Sequence, residues 1–216
     1  MKETSNVKSR LSILIVAALL AGCSRQGELY DGGVYATRTV CPAVGVPAGT
    51  GDVTLFSPPN SVAASALDLT ATITNVRSNC NDQGADVVST VSFDVVAVRR
   101  DATQARQVVL PFFNTVTQGG SSVVAKKVGA VGLNFAAGIY RAQTSSQATV
   151  RVNRAAATLP DNVRRILTRP RKAGQLDAAV DPLNEPGVRE AVARATFEQL
   201  IGFQLTEAQL RYNVTR

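Results

Sequence analysis

Alternation is the clearest pattern along this chain. Leu67, Leu69, Ala71 and Ile73 alternate with Asp68, Thr70, Thr72 and Thr74, the period of a strand with one buried face. After a polar loop over Ser78–Gly84, residues 87–98 alternate again. There Val91, Phe93, Val95 and Ala97 share a face opposite Thr90, Ser92 and Asp94. The two segments predict a long antiparallel hairpin. A short strand is expected before them over Asp52–Phe56, ended by the breaker Ser57-Pro58-Pro59-Asn60. Further strands are expected over Gln107–Phe113, Ser122–Val131, Gly138–Thr144 and Ala148–Asn153. The last two would be joined by Ser145-Ser146-Gln147 as a polar hairpin loop. Strands at this spacing without intervening helices predict a mainly β fold, an antiparallel β-sandwich.

The period changes after about residue 158. Pro160 or Asp161 opens a short helix over Asn162–Leu167, broken by Arg169-Pro170-Arg171 and Gly174. Asn184-Glu185-Pro186 opens a stronger helix across 187–201, with Val188, Ala191, Val192, Ala195 and Leu200 near one side and Gly202 permitting a stop. Thr206-Glu207-Ala208-Gln209 has the form of a capping box, in which the threonine serves the third residue's amide and the glutamine reaches back. It starts a final helix through about Tyr212. The fold class is thus a sandwich with a short C-terminal helical appendage.

Composition narrows the chemistry. The 216 residues are 45% apolar, enough for a globular core, and include no histidine and no tryptophan. Without histidine, Ser-His-Asp and Cys-His catalysis and every histidine-ligated metal site are excluded. The formal charge is +7. Between 151 and 172, Arg151, Arg154, Arg164, Arg165, Arg169, Arg171 and Lys172 face only one acid, Asp161. Arg164, Arg165, Arg169, Arg171 and Lys172 are the candidate contacts for an anionic partner such as a lipid headgroup or glycolipid. A solvated linker and helix face is the plainer use of the same residues. Nucleic acid is not expected as a partner, because no aromatic lies between residues 141 and 196 to interleave with the charges.

The N-terminal segment reads as an address. Lys2, Lys8 and Arg10 precede an apolar run from Leu11 to Ala21. Eleven residues make roughly 16 Å of helix, about half of a ~30 Å hydrocarbon layer. The layout is that of a secretory signal rather than a membrane span. Leu20-Ala21-Gly22-Cys23 resembles the lipobox of bacterial lipoproteins at all four positions. The resemblance implies that Cys23 carries a diacylglyceryl thioether, that cleavage precedes it, and that its new amino group is acylated, by palmitate or a similar chain. Two or more acyl chains hold a protein stably on a bilayer. Ser24 is not acidic, which resembles the pattern of delivery to the outer membrane, facing the periplasm.

If Cys23 is lipidated, Cys41 and Cys80 remain. In an oxidising compartment an even remainder reads as one disulfide. Free thiols or a metal pair are the alternatives, and two sulfurs without histidine need carboxylates to complete a tetrahedral zinc site. The expected layout is a signal peptide over 1–22, a lipidated cysteine and tether over 23–50, a sandwich over 51–154, and a basic linker with helices over 155–216.

Ala137-Gly138-Ile139-Tyr140-Arg141-Ala142 resembles the Gly-x-Tyr step that opens a late strand in immunoglobulin-like domains, where the tyrosine hydroxyl bonds back to the chain. Ala142 stands where an antibody domain has its second core cysteine, so immunoglobulin-like here means the sandwich in general. Other constellations are weak. Asn79, Asn81, Asp82, Gly84 and Asp86 lack the terminal glutamate of a calcium loop. Gln118-Gly119-Gly120-Ser121-Ser122 lacks the lysine of a phosphate-cradling loop. Ser122 and Lys126 do not have Ser-x-x-Lys spacing. Two facing carboxylates would make a hydrolase, but no pair can be drawn from the sequence. No cofactor or metal is expected. The expectation is a non-enzymatic interaction or scaffolding module of the envelope, held by its lipid and meeting an envelope protein partner. An accessory binder of anionic glycolipid or glycan is the second reading.

Overall fold

A computed structural model describes residues 39–169 and 180–215. Two four-stranded sheets pack face to face. The first, in spatial order, holds β2 (Asp52–Phe56), β3 (Leu67–Asn81), β4 (Asp86–Arg99) and β7 (Arg141–Asn153). The second holds β1 (Ala43–Gly45), β8 (Phe197–Phe203), β5 (Arg106–Gln118) and β6 (Ser122–Phe135). Every pairing is antiparallel except the short parallel contact of β1 with β8. The hairpin of β5 and β6 lies on one sheet, while the strands before and after it, β4 and β7, lie side by side on the other.

The alternation in the sequence explains the core. Leu69, Ala71 and Ile73 of β3 and Val91, Phe93, Val95 and Ala97 of β4 meet Leu110, Phe112, Leu133, Ile201 and Phe203 of the opposite sheet in one buried cluster. Burying each large side chain stabilises the fold by ~1.5–3 kcal/mol. Phe93 and Phe112 meet edge to face across the interface, with centroids 5.1 Å apart.

Successive residues of a strand point to opposite faces, so Phe112 lies inside and Phe113 outside. Each ring sits over a glycine directly opposite on a neighbouring strand: Phe112 over Gly129 of β6, and Phe113 over Gly202 of β8. A methyl group at Gly202 would fall against the Thr50 hydroxyl and within 2.6 Å of the Phe113 ring. Gly202→Ala should therefore lower stability by ~1–3 kcal/mol, the range for overpacking. An unchanged urea midpoint would contradict this packing account.

Three expectations need correction. Ser145-Ser146-Gln147 is not a loop. β7 runs through it, pairing these residues with Asp94, Phe93 and Ser92 of β4. The triplet contains no glycine or proline to break a strand, and the Ser145 hydroxyl donates to Asp94 across the pair at 2.6 Å. The loop expected over Ser78–Gly84 is shorter, because β3 continues to Asn81 and places Cys80 on a strand.

The third correction concerns the helix expected over 187–201, which stops at Arg194. The Thr196 hydroxyl donates to the Val192 carbonyl, the Gln118 side chain donates to that of Arg194, and the Gly119 N–H donates to that of Thr196. These bonds lead the chain out of the helix and into the sheet. Phe197, Ile201 and Phe203 then bury on one side of β8, between β1 and β5. The sandwich is consequently not confined to 51–154, since β1 comes from the expected tether and β8 from the expected appendage.

Four α-helices and two single-turn 3-10 helices, Ala64–Ala66 and Pro182–Asn184, complete the described chain. α1 (Arg154–Ala157) is capped by Asn153. α2 (Asp161–Thr168) and α3 (Pro186–Arg194) share a small core of Val163, Val188 and Ala191. α4 (Glu207–Thr215) begins with the expected capping box. The Thr206 N–H donates to Gln209 Oε1 at 2.9 Å, and the Gln209 N–H donates to Thr206 Oγ1 at 3.2 Å. α4 lies along β2, at the border of the first sheet. Tyr212 packs edge-on to Phe56, and Asn213 Nδ2 donates to the carbonyls of Gly49 and Asp52, both at 2.8 Å.

Candidate functional site

Of the residues singled out from the sequence, the expected signal segment 1–22, Cys23, Ser24, Arg171 and Lys172 lie outside the described residues. Cys41 and Cys80 form a disulfide with a Cα separation of 6.1 Å. Cys41 precedes β1 on one sheet and Cys80 lies near the end of β3 on the other, so the bond links the two sheets.

Arg164 and Arg165 project from α2 into solvent, and Arg169 follows its end. Arg164 is bonded to Asp161 one turn earlier at 2.6 Å. At that exposure the pair adds little to stability. Arg154 lines a shallow open hollow beside α1 with Asn153, Thr158, Leu159 and Asp161.

Most of the described carboxylates are dispersed and hold a partner. Asp68 receives both terminal nitrogens of Arg106, at 2.7 and 2.8 Å, an arrangement that raises the guanidinium's affinity for its proton. Glu198 accepts from Thr117, and Glu207 binds Arg211 along α4. Asp94 accepts from Ser145 and from the Asn75 amide, which hold its carboxyl below the ordinary carboxylate range, Ser145 more strongly. Asn75 in turn accepts from Arg77 Nε, and these contacts cross three strands over the irregularity in β3. Among the described residues, no group of three or more His, Cys, Asp or Glu side chains is placed to hold a metal ion. Asn81 accepts from the Gln83 N–H, so the Asn- and Asp-rich stretch there forms an ordinary side-chain-stabilised turn. Tyr140 is exposed, and its backbone carbonyl accepts from the Arg99 N–H.

Sequence reasoning missed two buried polar groups. Arg99 closes β4 with only 3% of its surface exposed. It donates to the carbonyls of Ile139, Gln104, Ala102 and Ala136, and its guanidinium lies 4.9 Å from the Phe135 ring centroid. The second group crosses the sandwich. Gln199 Nε2 donates to Asn114 Oδ1 at 3.0 Å and to the Ala148 carbonyl at 3.2 Å, while Asn114 Nδ2 reaches the Thr149 carbonyl at 3.4 Å. These side chains attach β8 and β5 to the border strand β7. They lie between the main core and a smaller cluster of Val116, Val152, Ala157 and Phe197.

The remaining feature is the border of the second sheet. In the second half of β6, Val131, Leu133 and Phe135 are buried. In the first half, residues 122–128 are exposed on both faces, with Val123 at 62%, Val124 at 48% and Val128 at 58%. Ala125 and Lys127, paired with Val116 and Asn114, share their interior-facing side and are exposed all the same. Across from them, Thr144, Ser146, Ala148 and Val150 of β7 are only half buried. The sandwich is open at this corner. No protein-family profile, curated protein or solved structure matches this chain.

Proposed function

We propose that this chain is a lipid-anchored protein of the bacterial envelope, tethered to the outer membrane through Cys23, and that its sandwich is a non-catalytic binding module. One observation carries the reading: the disulfide takes two of the three cysteines. Cys23 is then the odd sulfur, and it ends the Leu20-Ala21-Gly22-Cys23 segment that resembles a lipobox. A disulfide suits an exported domain, because structural disulfides persist in oxidising compartments. The open strand border of β6 supports the binding role, since such an edge presents backbone donors and acceptors to a second chain.

The test is metabolic labelling with an alkynyl fatty acid in a bacterial host. The parent chain should take up label and fractionate with outer membranes. Cys23→Ala should take up none and be released from the membrane fraction. Equal labelling of the two would overturn the proposal.

A further inference from the structure

The four borders of the two sheets are not alike. β1 is three residues long, and β2 is five residues long with α4 laid against it. β7 is long, but carbonyls in its middle accept the side chains of Gln199 and Asn114. β6 is 14 residues long and, among the described residues, is paired on one side only. Folded proteins guard their sheet edges by shortening, covering or charging them, because an open edge is a template for a further strand.

The charge of this edge specifies what it would accept. Residues 122–135 contain Lys126 and Lys127 and no acid. The two lysines point to opposite faces, Lys126 over the Phe113 ring at 5.6 Å and Lys127 toward the open corner. Val123 and Val128 flank them with exposed apolar surface. An antiparallel pairing of two β6 strands centred here would bring lysine against lysine, and like charges directly opposite are destabilising. A strand carrying two adjacent carboxylates would instead place one on each face, each against a lysine.

We propose that residues 122–129 of β6 are a docking edge for an extended acidic segment of another protein. The segment adds to the second sheet as a further strand, its two neighbouring carboxylates meeting Lys126 and Lys127 and its β-branched residues covering Val123 and Val128. Main-chain hydrogen bonds supply the attachment in this mode of recognition, and side chains supply the selectivity. Val124 is the extra residue of a bulge opposite Val116 and Thr117, which brings Val123 to the same face as Val128. The proposal deepens the binding-module reading and does not depend on lipidation, so labelling at Cys23 and the following experiment fail separately.

Hydrogen exchange is measured on the full-length protein with two blocked heptapeptides. One has two central glutamates flanked by valine and threonine, and the other has lysines in their place. The acidic peptide should slow exchange in 122–129 by about tenfold or more, an effect that local protection can report, and salt should weaken it. In the doubly reversed K126E/K127E protein, whose altered side chains are exposed, the preference should switch to the basic peptide. Equal protection by both peptides, or none by either (a guarded edge only), overturns the proposal. So does protection that rises with protein concentration alone, which would identify a second copy as the occupant.

Discussion

Replacing Arg99 with methionine should lower the unfolding free energy by about 3 kcal/mol, which for a domain of this size corresponds to a fall in Tm of roughly 6–12 °C. The residue is buried, and it donates to four carbonyls at 3.0, 2.7, 3.4 and 2.8 Å. Ala102 and Gln104 lie in the connection from β4 to β5, and Ala136 and Ile139 in that from β6 to β7. A single guanidinium thus joins the two crossings that carry the chain between the sheets at this end of the sandwich. Hydrogen bonds from a charged donor contribute ~1.5–3 kcal/mol each. Both connections are near the surface and regain water when the guanidinium is lost, so the sum is far from additive. Methionine preserves much of the apolar stem and removes every donor. Arg99→Lys keeps the charge without the planar fork and should recover less than half of the loss. Chemical denaturation of the three proteins decides this, and a methionine variant as stable as the parent would show that the connections hold themselves.

Arg99 also shows where the sequence was readable and where it was not. Its core-facing position follows from the period, because it is two residues beyond Ala97 in the series Val91, Phe93, Val95, Ala97. What the period cannot show is that four carbonyls from distant segments converge there. The sandwich itself was legible because the buried faces of β3 and β4 are almost wholly apolar. β8 was obscured by the reverse circumstance. Its inward series is Phe197, Gln199, Ile201 and Phe203, and the glutamine interrupts the apolar period directly after a helix. The amide nitrogen of Gln199 is received in the core by Asn114 and the Ala148 carbonyl, contacts 85 and 51 residues away in sequence, while its buried Oε1 has no hydrogen-bond partner among the described residues. The capping box of α4 was fully legible, since all its partners lie within four residues. The open half of β6 was invisible for a similar reason: Ser122–Val131 reads as a strand, but whether its neighbour covers it depends on β7. Local chemistry announces itself in the chain, whereas polar groups satisfied across the fold do not.

Removal of the Cys41–Cys80 bond should have the other large effect. The cysteines are 39 residues apart, and closing a loop of that length stabilises a fold by ~3–4 kcal/mol on the chain-entropy account. Double substitution of Cys41 and Cys80 by serine should lower the urea midpoint by the corresponding amount. Dithiothreitol should do the same to the parent and leave the double variant unchanged. The loss should also be uneven. β1 has three residues and one neighbouring strand, β8, and the disulfide just before it adds an attachment to the other sheet. Exchange at 43–45 should rise before exchange in β3 or β4, because the shortest edge has the least to lose on local opening. The bond ties the segment before β1 directly to β3, which is held on both sides by β2 and β4. Midpoints that agree between oxidised and reduced parent, with unchanged exchange at 43–45, would show that the two sheets hold β1 without help from the sulfurs.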